Sequence, residues 1–162
     1  MTEHRQEDYL DTLCLAGELL VFMQRRGSMA LEGELDDWPH GELASRYPVA
    51  SQPQLAGLVC DLLRLLASGE RDPAELQHYA HAAIHSYRDE NSAALLYAFW
   101  LVLRAGLAGR PAAAAIEWGR AAIPHASKPS HAELQHAWRQ RIYPDGNPLA
   151  PERLAAFIHS LE

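Results

Sequence analysis

The sequence predicts an all-α fold, a single compact helical domain of about six to eight helices. Three observations predict it. Apolar residues recur at three- and four-residue spacings along most of the chain, the period of a helix with one buried face. Capping residues, glycines or prolines bound each such stretch. No stretch shows the β-branched alternation of a strand.

The first helix is expected from about Glu7 to Arg26, where Leu10, Leu13, Cys14, Leu20 and Val21 fall on one face and Gly27 supplies the stop. Residues 28–50, with Pro39, Gly41 and Pro48, read as a loop with short helical turns. Ser51, with Gln54 three residues on, is expected to cap a strong helix carrying Leu55, Leu58, Val59, Leu62, Leu63 and Leu66 up to Gly69. Asp72-Pro73-Ala74-Glu75 opens the next, which is expected to reach Arg88. Asn91 or Ser92 is expected to cap a helix to Ala108 that is apolar nearly all round, and so central. Pro111 starts a helix that Pro124 stops, and Ser130-His131-Ala132-Glu133 is a capping box for one reaching Arg141. Residues 142–162 hold the turn cluster Tyr143–Pro148 and a final short helix opened by Pro151.

Composition narrows the function. A chain of 162 residues, 48% hydrophobic and 22% charged, matches one ordinary globular domain. The formal charge of −7, from 21 acidic and 14 basic residues, disfavours nucleic acid or anionic lipid as the main partner. The longest apolar run, Ala93 to Leu103, has eleven residues, short of a membrane span of roughly 18. Glu3, Glu7, Asp8 and Asp11 stand where a signal peptide would be basic. Cys14 and Cys60 are too few for a disulfide framework. A soluble, cytoplasmic protein is expected.

Three segments carry a resemblance. The first runs from Gly27 through Ala30-Leu31-Glu32 to Pro39 and Tyr47-Pro48. The second is Asp61-Leu62-Leu63-Arg64-Leu65, closing on Gly69. The third joins Pro111–Ala115, Ile116-Glu117-Trp118-Gly119-Arg120, Ser127-Lys128-Pro129-Ser130 and Glu133-Leu134. In this order they resemble the cytoplasmic parts of the MotA family, the ion-channel subunit of the bacterial flagellar stator, over residues 8–141. That family carries four membrane helices, and this sequence carries none. Residues 7–88 resemble the first cytoplasmic segment and 92–141 the second, spliced by Asp89-Glu90-Asn91-Ser92 as an αα-hairpin.

The family's cytoplasmic domain transmits torque through charged contacts with the rotor protein FliG. The acidic member of its charge pair matches Glu32. The basic member, eight residues earlier, falls on Gln24, with Arg25 and Arg26 beside it. The resemblance thus implies a partner-binding patch of Arg25, Arg26 and Glu32, with FliG or a stator subunit as partner and no ion conduction. Read without the resemblance, the two arginines complement the negative end of the helix dipole.

Other residues point to structure. His78, His81 and His85 share one helical face, and His81 with His85 has metal-pair spacing. A third ligand would have to come from elsewhere, so no metal or cofactor is expected. Asp61 with Arg64 and Glu117 with Arg120 can pair locally. Trp100, Trp118 and Trp138, on three successive helices, are expected to fill one core. Both cysteines lie among leucines and are expected to be buried. No nucleophile elbow, phosphate loop or paired carboxylate motif points to an enzyme. The alternative is a tetratricopeptide-like adaptor or secretion chaperone, suggested by the helix pair Ala94–Ile123, without a second copy at a period of about 34 residues.

Overall fold

The computed structural model describes residues 4–87 and 89–142. Among them it has seven α-helices and no strand: α1 (Gln6–Arg26), α2 (Leu31–Asp36), α3 (Pro53–Ala67), α4 (Pro73–Ser86), α5 (Glu90–Leu107), α6 (Ala112–Arg120) and α7 (His131–Ile142). Short 3-10 turns at Ser28–Ala30, Ala44–Arg46, Pro48–Ser51 and His125–Ser127 punctuate the connections. The fold is all-α, as expected. The turn cluster at Tyr143–Pro148 and the short helix expected from Pro151 lie outside the described residues.

Local chemistry explains most boundaries. Asp72 accepts from the Ala74 and Glu75 N–H groups, with Pro73 at the first helical position. Ser130 Oγ accepts from the Glu133 N–H at 3.0 Å while Glu133 accepts from the Ser130 N–H at 3.1 Å, the reciprocal capping box. Gly69 and Gly109, at φ +100° and +102°, close α3 and α5, each followed by an N–H that reaches back five residues.

Three boundaries differ from expectation. The α3 cap is Gln52, whose Oε1 accepts from the Leu55 N–H at 2.7 Å, because Ser51 is already committed to the preceding turn through Pro48 C=O at 2.9 Å. α5 begins at Glu90 rather than after Asn91 or Ser92, since the Ala93 N–H already bonds the Asp89 carbonyl at 2.9 Å. Ser92 Oγ then donates to the Asp89 carboxylate at 2.8 Å. α6 ends at Arg120, short of Pro124, where tighter bonds from Ala122 to Gly119 and from Ile123 to Arg120 replace the α pattern.

α1 and α5 form the centre. α5 packs against α1, α3, α4 and α6, and α1 lies across both α5 and α6. The α3 leucines, Leu55, Leu58, Leu62, Leu63 and Leu66, are fully buried together with Val59. Small residues let the central helices close. A Cβ on Gly119 would lie 2.4 Å from Leu13 Cδ2 and 2.5 Å from the Ala98 carbonyl oxygen. One on Gly17 would lie 2.7 Å from the Trp138 ring.

The tryptophans do not form one core. Trp100 and Trp138 are buried, whereas Trp118 is 49% exposed with the Arg110 guanidinium 4.0 Å over its ring. α6 turns Ala112, Ala115, Ile116 and Gly119 inward, and Trp118 falls off that stripe.

Candidate functional site

The last turn of α1 carries Gln24, Arg25 and Arg26, all exposed. Gly27 turns the chain into the 3-10 turn that holds Met29, 75% exposed, and α2 follows with Glu32 exposed in its first turn. The Arg26 guanidinium lies 5.1 Å over the Phe22 ring. Among the described residues, no hydrogen bond or ion pair joins Arg25 or Arg26 to Glu32, or engages any of the three side chains. Their charges are therefore unpaired by opposite charge and face solvent.

Arg71, from the loop after α3, completes this end of the molecule. Its guanidinium donates to the Leu66 carbonyl at 2.9 Å, to the Glu70 carbonyl at 2.6 Å and to Ser28 Oγ. A cleft of about 180 Å³ lies alongside, with Leu20, Met23 and Leu107 as its apolar wall and Gln24, Ser28 and Arg71 as its polar one. Gly106 lets Leu20 approach, since a Cβ there would lie 2.3 Å from Leu20 Cδ2. Arg25, Arg26 and Glu32 stand out in the sequence, whereas Arg71 and the cleft do not, because the cleft forms only where the ends of α1 and α5 meet Ser28 and Arg71.

Two residues beyond Glu32, Glu34 is buried. Its Oε1 accepts from the Leu43 N–H at 3.4 Å, and its Oε2 lies where a Cβ on Gly41 would intrude at 2.5 Å. α2 therefore presents Glu32 outward and uses Glu34 to hold the following loop.

A second polar group anchors that loop to α1. Glu18 accepts from the Tyr47 hydroxyl and pairs with Arg46 at 3.1 Å. One to two turns earlier on α1, Asp11 pairs with Arg141 of α7, whose guanidinium lies 5.7 Å over the Tyr47 ring. Burial pushes the Glu18 carboxyl above its ordinary range, with Tyr47 and Arg46 pulling it partly back. Burial likewise raises Asp11 against the pull of Arg141. Cys14, between them on α1, is fully buried, and its thiol is pushed up to about 12 by burial. It is a packing residue rather than a thiolate nucleophile. Cys60 is half-buried, and burial raises its thiol also.

The remaining pairs take local structural positions. Glu117 accepts twice from Arg120 Nε, at 2.8 and 2.9 Å, and contacts His131 Nδ1 at 2.9 Å. Asp61 and Arg64 meet at 3.4 Å on the exposed side of α3. His81 and His85 both turn toward Tyr97 of α5, while His78 is exposed one turn earlier. No group of three His, Cys, Asp or Glu residues among those described could hold a metal ion. No helix among the described residues is long and apolar enough to cross a membrane. No protein-family model, curated protein or solved structure matches this chain.

Proposed function

We propose that this chain is a non-enzymatic protein-interaction domain whose contact surface is the end built by Arg25, Arg26, Met29 and Glu32 beside the Arg71 cleft. The carrying observation is the combination of an exposed Met29 with three exposed charges that have no ion-pair partner within the fold. Met and Arg are enriched at protein interfaces, and unpaired charges of both signs guide encounter and orientation. On the MotA resemblance, the partner is the rotor protein FliG or a stator subunit, bound without ion conduction.

The test is pull-down of FliG, and separately of a full-length stator subunit, by the parent chain and by the double reversal Arg25→Glu/Arg26→Glu. The reversal should weaken capture, each exposed pair contributing no more than about 1 kcal/mol, while the circular dichroism melt falls only by the few degrees that two acids at the C-terminal end of α1 cost. Salt should weaken the parent complex in the same direction, because screening shortens to about 3 Å at 1 M. Equal binding by parent and reversal would remove this patch as the interface. Failure of the parent with both partners at low salt would leave the resemblance without a functional counterpart.

The tetratricopeptide-like alternative draws on the tight α5–α6 hairpin, where Gly119 abuts Ala98 and Val102. In this fold α1 lies across both helices of that hairpin, on a surface that a following repeat would need.

A further inference from the structure

The seam between α4 and α5 carries a cluster that the interaction surface does not use. Gln77, His81 and His85 follow one another at four-residue steps along α4, so they rise along one face. Two α5 residues meet this face in antiparallel order. Trp100 Nε1 donates to Gln77 Oε1 at 2.7 Å, which pins the register of the two helices. Tyr97 then stands against both histidines. Its hydroxyl oxygen lies 3.2 Å from His81 Nδ1 and 3.5 Å from His85 Nε2. The two imidazole centroids are 5.9 Å apart, and the cluster is exposed, so an ion can enter from solvent.

We infer that His81, His85 and Tyr97 form a three-donor site for a divalent transition cation of the zinc and copper class. The sequence offers the histidine pair, and the fold supplies the third donor from another helix. The geometry fits on magnitudes. Metal–ligand bonds of about 2.0–2.1 Å at a tetrahedral angle separate neighbouring donors by about 3.3–3.4 Å. The observed separations from the Tyr97 oxygen straddle that value. Two imidazoles on one such ion at the same angle have ring centroids about 5.2 Å apart, so this pair, at 5.9 Å, closes by well under 1 Å on binding.

The donor set selects the class of ion. Imidazole nitrogen suits zinc, copper and nickel, with Cu²⁺ the tightest of the series, while Ca²⁺ and Mg²⁺ prefer oxygen. In the metal-free protein the Tyr97 hydroxyl is shared between the two ring nitrogens, so the donors are already gathered before the ion arrives. On binding, the hydroxyl proton leaves to solvent and the phenolate oxygen bonds the cation. The donors come from two successive helices, so a bound ion staples α4 to α5. His81, His85 and Tyr97 are not among the residues of the Arg25, Arg26 and Glu32 surface or its cleft, so the site stands or falls independently of partner binding.

The test is titration of the tag-free full chain with CuCl₂ and, in parallel, with ZnCl₂. Saturable 1:1 binding should raise the melting temperature by roughly 5–10 °C at a hundredfold excess over the dissociation constant. Cu²⁺ should also produce a visible tyrosinate-to-copper charge-transfer band. Tyr97→Phe, which keeps the ring, should lose the band and weaken Cu²⁺ binding by on the order of tenfold or more. The exposed double variant His81→Ala/His85→Ala should abolish both responses, and metal-free circular dichroism checks that each variant is folded. Absence of saturable binding by the parent would overturn the site. So would undiminished affinity in the double variant, which would assign the ion to other histidines, or in Tyr97→Phe, which would remove the phenol from the ligand set.

Discussion

Tyr47 donates its phenolic hydrogen bond to the Glu18 carboxylate, across 29 positions of sequence. Tyr47 belongs to the first of the three segments that carry the MotA resemblance, and this bond gives it a physical role in this fold. The tyrosine sits between two 3-10 turns, fully within the core, and holds the loop after α2 against α1. The adjoining Arg46 reaches the same carboxylate, so one acid secures two successive loop residues.

Replacing Tyr47 by Phe keeps the ring and deletes that bond. A hydrogen bond to a charged, largely buried group contributes about 1.5–3 kcal/mol, so Tyr47→Phe should destabilise by that order. Arg46 remains on Glu18, which places the loss toward the lower end. Urea unfolding checks it, with a lowered midpoint and an unchanged slope. An unchanged midpoint would show that the loop is held by packing alone.

Glu18 and Glu117 should shift the pH dependence of stability in opposite directions. Burial raises Glu18 above its ordinary 4.5, so the folded protein holds that proton more tightly than the unfolded chain does. Stability from this group is greatest below 4.5, declines as pH climbs through the folded value and is flat above it. For Glu117 burial also pushes upward, but the bonds from Arg120 and His131 outweigh it and the net shift is below 4.5. Its contribution is present above 4.5 and is lost as pH falls through the folded value. Thermal melts across acidic to neutral pH should show Glu18→Gln gaining on the parent above that pH. Glu117→Gln should fall behind the parent as pH rises toward it. Curves moving in the same direction would contradict the two opposed environments.

Gly119 and Gly33 make a matched pair for the packing. An alanine at Gly119 places its Cβ against the Ala98 carbonyl oxygen at 2.5 Å, and backbone cannot swing aside as a side chain does. Gly119→Ala should therefore cost about 1–3 kcal/mol through separation of α6 from α5. Gly33, inside α2, has nothing within 4 Å of the same atom. Gly33→Ala should stabilise by up to about 1 kcal/mol, because it removes conformational freedom from the unfolded chain and suits a helix. Chemical denaturation of the two variants beside the parent reads both signs.

Helix existence, the α3 core face and the caps at Asp72 and Ser130 were legible because each depends on contacts within one turn of chain. Capping reaches two or three residues, and an apolar stripe repeats every three or four. The same local rule could have placed Trp118 correctly. Ala112, Ala115, Ile116 and Gly119 mark the inward stripe of α6, and Trp118 falls off it although it sits on a helix between those of Trp100 and Trp138. At Ser51 a plausible capping spacing competed with a 3-10 turn that had claimed the hydroxyl first.

By itself, the sequence determined an all-α chain and most of its helix boundaries. Only the tertiary structure decided that Glu18 meets Tyr47, that Arg71 reaches Ser28, and that Tyr97 stands between His81 and His85. Periodicity reports which face of a helix is buried but not which distant residue faces it. Each of those pairings joins elements remote in sequence, and the packing that brings such elements together includes the close approach of α1 to α5, α6 and α7 that glycines at 17, 106 and 119 permit.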